Sequence, residues 1–485
     1  MRDDIGMVRR EKLEKARAFF GDVFPESSKR THRIEEGLTG FEALSEEKKI
    51  ISLTGRVRSR RDMGKISFLH IEDESGRIQL FLRQGTLPEA SFRAFLDTVD
   101  LGDFVEVTGT LFLTKQSEKT LDVSSWRMLA KSLRPLPSEF YDLKDEEELL
   151  RRRYVDLALH SETRELFRKK ALFWRTVRNF LTDRDFLEVA TPVLEHIPGG
   201  AEAEPFVTHH RALDRDFYLR ISLELPLKRL LVGGYERVFE IGRVFRNEGI
   251  DREHLQEFDH MEFYAAYLTM DAGMRLVEEL FRDIVKQVTG SFHTTSNGHV
   301  LDWSKPFPVF DYFELFQKET GIDLANDVST ETLRKFADEH GIPYDSSFGK
   351  GRLIDTLYKK TVRKKLIEPC FLVGHPIEVS PLAKCDPKHP KRVLRFQPIA
   401  SGSELGNGFS ELNDPLDQRA RFEEQMRLRA EGDPEAQQLD EDFLEALEYG
   451  MPPACGFGMS ERFFALLMDR PIRETVLFPP MRERG

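Results

Sequence analysis

The sequence predicts an α+β chain: a small β-barrel, then a larger domain built on an antiparallel sheet flanked by helices. Three observations carry this. Between residues 50 and 132, short β-rich runs (ISLTGRVRSRR, ISFLHIED, RIQLFLR, DFVEVTGTLFL, KTLDVSSWRML) alternate with Gly, Asp and Ser, the spacing of a small barrel. Further on, helical periodicity at 162–182 and 272–288 is separated by strand-like stretches over 186–264 and again after 392. Long connections without regular βα alternation favour an antiparallel sheet over a doubly wound one.

The composition sets bounds. The chain has 485 residues, 40% of them hydrophobic and 32% charged, with a net charge of −12. That is enough apolar matter for folded cores and about three domain-sized units. No apolar run approaches the roughly 18 residues that a membrane span needs. The start is charged throughout, without the apolar segment of a signal peptide. Three cysteines (Cys370, Cys385, Cys455) with no CxxC pair speak against a disulfide framework or a structural zinc site. A cytoplasmic location is therefore expected.

Element by element, residues 1–49 form a helical extension in which 8–20 (VRREKLEKARAFF) read as a short basic helix. Residues 50–132 are the barrel. A five-stranded Greek-key barrel fits this length and offers one face to oligonucleotides. Within 51–70, five cations (Arg56, Arg58, Arg60, Arg61, Lys65) face one anion, Asp62, and Phe68 follows directly. Cations hold phosphates and exposed aromatics stack on unpaired bases, so the run suits single-stranded RNA; a salt-laced barrel edge reads equally well. Residues 133–161 read as a linker, with two prolines, a block of acids and a block of arginines. Residues 162–485 form the larger domain, with 308–366 a charged, mostly helical insertion.

Three segments of that domain concentrate chemistry. In 236–267 two strands are joined by a polar loop. Side chains alternate faces along a strand, so Arg246 shares a face with Glu240 and Glu248, and Phe258, His260, Glu262 and Tyr264 share another series. An arginine, carboxylates, an aromatic plate and a phenol together describe a ligand-binding face. In 404–414 (ELGNGFSELND), Asn407, Phe409 and Glu411 fall on one face, and Gly406 and Gly408 leave room for a ligand beside the backbone. In 452–469, a strand with Gly456 and Gly458 enters a helix with Arg462 near its start. A helix N-terminus already favours anions, so Arg462 there suits a phosphate.

Together these segments resemble the three motifs of class II aminoacyl-tRNA synthetases, and nearly the whole chain resembles the class II lysyl-tRNA synthetases. TGRVRSRRDMGKISFLHIEDESGRIQLFLR (54–83) is similar to that family's anticodon-binding OB-fold barrel. EVATPVLEHIPGGAEAEPFVTHH (188–210) resembles motif 1 and its following loop, and YLRISLELPLKRLLVGGYERVFEIGRVFRNEG (218–249) runs into motif 2. IEVSPLAK (377–384), SELGNGFSELNDPLDQRARF (403–422) and IRETVLFPPMR (472–482) also match.

The resemblance implies a lysine–tRNA ligase fold and activity: ATP, L-lysine and tRNA(Lys) as partners, Mg²⁺ as cofactor, a homodimer meeting near 162–182 and Pro192, and no membrane. It implies that Arg246 bridges the lysine carboxylate and the ATP α-phosphate. Phe258 stacks on adenine, with Glu248 and His254 beside the nucleotide and Arg462 at the γ-phosphate. Glu404 holds the metal. Gly200 and Glu224 receive the α-amino group and Asn407 assists at the carboxylate. Glu262, Tyr264 and Glu411 surround the ε-ammonium, with Phe409 in the same lysine-binding set. In the barrel, Arg60, Phe68, Gln79 and Glu118 stand where the family reads the anticodon. The chemistry agrees, since a buried ammonium needs paired anions and an Arg fork suits a carboxylate. Two departures stand out. Gln397 replaces the family's acidic metal ligand seven residues before Glu404, and motif 3 (GFGMSER) is one residue short. A noncatalytic paralogue that binds tRNA is the alternative these departures leave.

Overall fold

The computed structural model describes residues 2–136, 145–249, 254–430 and 436–481, without the side chains of residues 2–4. Arg482, at the end of the matched carboxyl segment, lies outside the described residues. The chain divides into two compact units, Met1–Glu146 and Glu147–Gly485.

The first unit is a closed barrel of β1 (Ile51–Met63), β2 (Ile66–Glu72), β3 (Arg77–Arg83), β4 (Phe104–Leu113) and β5 (Lys119–Ala130), in the order β1-β2-β3-β5-β4. The strands alternate buried and outward residues, so Leu69, Ile71, Ile78, Leu80 and Leu82 fill the interior while Phe68, His70, Gln79 and Phe81 line the outside. Around it lie α1 (Arg2–Phe20), α2 (Ile34–Thr39), α3 (Phe41–Glu46) and α4 (Glu89–Thr98). The basic helix is longer than its sequence pattern predicts, and it is docked rather than free. Leu13 and Ala16 enter the barrel core, Arg9 donates to the Ser132 and Leu101 carbonyls, and Lys12 pairs with Asp100.

The second unit opens with α5 (Glu146–Arg151), α6 (Arg153–Leu159) and α7 (Ser161–Thr182). Short strands β6 (Leu187–Glu188), β7 (Leu194–Glu195), β8 (Val207–His210) and β9 (Arg215–Leu219) lead to α8 (Glu224–Val232), β10 (Arg237–Phe245), β11 (Glu257–Ala266) and α9 (Met270–Thr289). A hairpin of β12 (His293–Ser296) and β13 (His299–Asp302) precedes β14 (Val309–Asp311), α10 (Tyr312–Thr320), α11 (Thr330–Glu339) and α12 (Lys350–Thr361). The chain continues through β15 (Cys370–Val373), β16 (Cys385–Asp386), β17 (His389–Val393), β18 (Arg395–Ala400), β19 (Ser403–Glu404) and β20 (Asn407–Ser410). It closes with α13 (Pro415–Ala430), α14 (Glu441–Glu448), β21 (Ala454–Ser460) and α15 (Arg462–Leu467).

The main sheet runs β14-β15-β18-β20-β21-β11-β10-β6, with β19 paired to β18. Its centre is antiparallel as the sequence predicts, but both edges are parallel, β6 on β10 and β14 on β15. The stretch 308–366 thus also supplies an edge strand, and its Tyr312, Phe316 and Leu357 pack with Leu372 and Ile399 of the sheet. On one face, α7 and α9 cover a phenylalanine-rich core in which Phe173, Phe263, Phe281, Phe396, Phe457 and Phe463 meet. The opposite face carries a second core with α8, α13 and α14, and it is there that β11 turns His260, Glu262 and Tyr264.

Candidate active site

Register builds the floor of a cavity of about 270 Å³ on that second face. The strand β21 lies between β11 and β20. Glu262 stands opposite Gly458, which stands opposite Asn407; Tyr264 stands opposite Gly456, which stands opposite Phe409. Residues paired across strands project to the same side, so a trough of two glycines separates two walls of functional side chains. A Cβ at Gly456 would sit 2.3 Å from the Tyr264 ring and 2.4 Å from Glu411 Oε1. These glycines are therefore needed by the site. Gly408 is different, because its Cβ would strike the Phe396 ring at 2.5 Å; core packing, not ligand approach, requires glycine there.

Three carboxylates converge at one end. Glu262 is 3% exposed. Its Oε1 accepts from Ser222 Oγ (2.7 Å) and the Leu223 N–H (2.8 Å), and its Oε2 accepts from the Tyr264 hydroxyl (2.8 Å). Burial works to raise its pKa, but the His260 ring and these donors outweigh burial and bring it down to about 2. Glu411 is 1% exposed and, unlike Glu262, has no backbone or hydroxyl donor; Lys228 alone meets it. Burial pushes it up to about 8, against the pull of Lys228. Glu224, in the first turn of α8, is likewise raised by burial to about 7. Lys228, one turn later and fully buried, places Nζ 2.5 Å from both Glu224 Oε1 and Glu411 Oε2. Burial works to lower its pKa, but the two carboxylates outweigh burial and raise it, so the group is an ammonium.

At the other end stand Arg246, Phe258, Glu404 and Arg462. The Arg246 guanidinium lies 5.3 Å from the Phe258 ring centroid and donates to the Ile221 carbonyl. Burial lowers its pKa, and Glu248 acts in the opposite sense. Arg462 donates to the Glu404 carbonyl at 3.3 Å, so the shortened motif still brings this arginine to the cavity. Glu404 stands opposite Ile399, which puts Gln397, two residues along β18, on the same face. The Gln397 Oε1 is buried without a hydrogen-bond partner. One carboxylate and one orphaned amide oxygen suit a Mg²⁺ that draws its other ligands from phosphates and water.

Comparisons with known proteins bear on this geometry. Residues 145–482 match the family described as tRNA synthetases class II (D, K and N), and residues 51–129 match an OB-fold nucleic acid binding domain. The chain belongs to the class II tRNA synthetases. It is 46% identical over 485 residues to a lysine–tRNA ligase of Roseiflexus castenholzii, covering 99% of each chain. It is 42% identical to the Halalkalibacterium halodurans enzyme of that name (99% of this chain, 97% of the other) and 40% to that of Bacillus subtilis (98% and 97%).

In this synthetase the residues singled out by sequence divide into those the fold brings together and those it does not. Gly200, Glu224, Arg246, Phe258, Glu262, Tyr264, Glu404, Asn407, Phe409, Glu411 and Arg462 all line the one cavity. Glu248, His254 and Gln397 do not line it, and residues 250–253 lie outside the described residues. Glu240 shares the strand face but is spent internally, on Arg220 at 2.6 Å and the Thr191 N–H and hydroxyl. Lys228, Arg395 and Ser222 escaped the sequence reading. The signal for Lys228 was its i+4 spacing from Glu224 on a helix; Arg395, which donates to Asn407 Oδ1 at 2.7 Å, left no comparable mark.

In the barrel, Phe68 stacks on Phe81 with centroids 4.9 Å apart, and Gln79 donates to Glu118 at 2.6 Å. Arg60 is set apart from them: it pairs with Asp62 and donates to the Val99 and Leu96 carbonyls at the end of α4. Arg58 pairs with Glu72 and Arg56 lies over Phe104, so much of the basic run holds the barrel itself.

Proposed function

We propose that the chain is a lysine–tRNA ligase that activates L-lysine with ATP and passes the lysyl group to the 3′ end of tRNA(Lys). The observation that carries this reading is the cluster of Glu224, Glu262 and Glu411, three buried carboxylates that share one lysine ammonium, Lys228, in a cavity that Arg246 and Arg462 also line. Three buried acids against one ammonium call for further positive charge, which the two ammonium groups of a lysine substrate supply.

In the first step a substrate carboxylate oxygen attacks the α-phosphorus of ATP and the bond to the bridging oxygen of the leaving pyrophosphate breaks. Arg246 holds the carboxylate and the α-phosphate in line, and its charge opposes the negative charge that develops there. Phe258 offers the adenine a stacking surface, and Arg462 meets the outer phosphates. Glu404, with Gln397, would hold Mg²⁺, which when bound supplies further positive charge against the phosphates. In the second step the tRNA terminal hydroxyl attacks the activated carbonyl and AMP leaves. Glu262 and Glu411, with the Tyr264 hydroxyl beside them, disfavour amino acids without an ε-ammonium, because the buried carboxylates would lack matching positive charge. Phe68, Gln79 and Glu118 supply a stacking and hydrogen-bonding face for anticodon bases, with Arg60 a more distant contributor.

The reading includes a homodimer working in the cytoplasm. Leu187, Val193 and Leu194 are 38–45% exposed, apolar surface of the sort a second copy covers. No helix among the described residues is long and apolar enough to cross a membrane. The test is ATP–pyrophosphate exchange with each of the twenty amino acids. Exchange that depends on lysine is expected, and its absence with folded, Mg²⁺-supplied protein overturns the assignment.

A further inference from the structure

We propose that Lys228 is a resident counter-ion that sets the net charge of the amino-acid pocket and so selects a substrate carrying two ammonium groups. This rests on the lysine reading above and adds a residue to it. Glu224, Glu262 and Glu411 bring three negative charges to one buried cluster, and Lys228 brings one positive charge. The balance is −2. L-Lysine carries an α- and an ε-ammonium, and its carboxylate is met separately by Arg246, so the filled pocket is neutral. An amino acid with one ammonium leaves a buried carboxylate unmatched, which is costly.

The surroundings allow this count. The other charged or titratable groups facing the cluster are His260 and Tyr264 from β11, Arg395 from β18 and Cys455 from β21. Glu195 of β7 acts on it from behind Glu262. Arg395 is engaged elsewhere, by Asn407 Oδ1, Ser380 Oγ and the Val379 carbonyl. Burial keeps the Tyr264 phenol and Cys455 thiol protonated, since both pKa values are raised. Lys228 also lies 5.2 Å from the Phe409 ring centroid and 6.0 Å from that of Tyr264, so its ammonium is fixed by two carboxylates and flanked by two rings.

Without Lys228, Glu224 and Glu411 lose the charge that pulls their pKa values down, so they hold their protons to higher pH than in the wild type and an entering ammonium must displace one. Binding then strengthens as pH rises and that proton is lost. The experiment measures lysine and ATP KM by pyrophosphate exchange at pH 7 and pH 9 in the wild type, in Lys228→Met and in the double variant Lys228→Met/Glu224→Gln. Lys228→Met is expected to raise lysine KM at least tenfold at pH 7, to narrow that gap at pH 9, and to leave ATP KM within twofold. The double variant returns the pocket to −2 and is expected to bind lysine more tightly at pH 7 than the single one. An unchanged lysine KM in Lys228→Met, or a loss that neither narrows with pH nor is relieved by Glu224→Gln, overturns the proposal. Should Lys228→Met fail to fold, the double variant decides, because it removes one of the two carboxylates that Lys228 matched: lysine KM within tenfold of wild type supports the count, and lost lysine use with ATP KM intact refutes it. Wild-type protein with no lysine-dependent exchange removes the functional reading itself, a result distinct from either of these.

Discussion

Glu262 and Glu411 reach the same cavity with opposite surroundings. Glu262 accepts three hydrogen bonds from Ser222, Leu223 and Tyr264, whereas Glu411 is met by the Lys228 ammonium alone. Replacing either by glutamine removes a charge from the ammonium site, so lysine KM is expected to rise about 30-fold or more while ATP KM changes little. Stability should separate them. A glutamine at 262 turns an NH₂ toward donors and strands them, so Glu262→Gln destabilises; Glu411→Gln relieves a buried acid. The pH sense differs too. Glu262 titrates near 2 in the fold, below its usual value, so its contribution is present above about pH 4.5 and lost as pH falls. Glu411 is raised to about 8, so its ionisation costs stability as pH climbs from about 4.5 to 8. Denaturant unfolding at pH 5 and pH 8 checks this: the advantage of Glu411→Gln must grow with pH. At this scale the sequence was legible wherever period-two alternation aligned residues on a strand, as for Glu262 and Tyr264. Lys228 was not legible, because an i,i+4 Glu–Lys pair on a helix is ordinarily surface decoration, and only tertiary burial turns it inward.

The elements were read best where local pattern and burial agree. The periodic series Leu276, Leu280, Ile284 and Val288 marks α9, which the fold completes with Thr269 as N-cap and left-handed Gly290 after its end. Less was visible at the sheet edges. Three residues, Val309–Asp311, are too few to show alternation, and they pair with residues 371–373, a contact no local pattern reports. The packing of α9 on β21 makes a further prediction. A Cβ at Gly273 would fall 2.6 Å from Cys455 Sγ, so Gly273→Ala is expected to cost about 1–3 kcal/mol by overpacking. Adding Cys455→Ala in the same chain removes the sulfur and should recover part of that loss, a non-additive pair in a double-mutant cycle. If Gly273→Ala unfolds at the same denaturant concentration as wild type, the helix does not approach the strand this closely.

The change of texture near residue 133 announced two bodies, and each unit has a core of its own. The barrel core gathers Leu69, Leu80, Val107 and Trp126 with Leu13 and Ala16 of α1 and Phe95 of α4, which makes the helical extension part of the barrel's stability and not a separate appendage. The cavity, by contrast, is built wholly from residues 200–462. The cavity and the OB-fold barrel therefore lie in different units, and the activities proposed for them should come apart when the chain is cut. Residues 1–136 expressed alone are expected to unfold in one cooperative transition. Residues 147–485 are expected to keep lysine-dependent pyrophosphate exchange within about tenfold of the full chain. They should lose at least 100-fold in kcat/KM for tRNA charging, because the face of Phe68, Gln79 and Glu118 proposed for the anticodon bases is gone. Charging by the larger fragment at the full-chain rate means that the barrel takes no part in selecting the tRNA. Loss of exchange from a fragment that still folds means that the barrel supports the chemistry directly, and the cavity's residues are not sufficient by themselves.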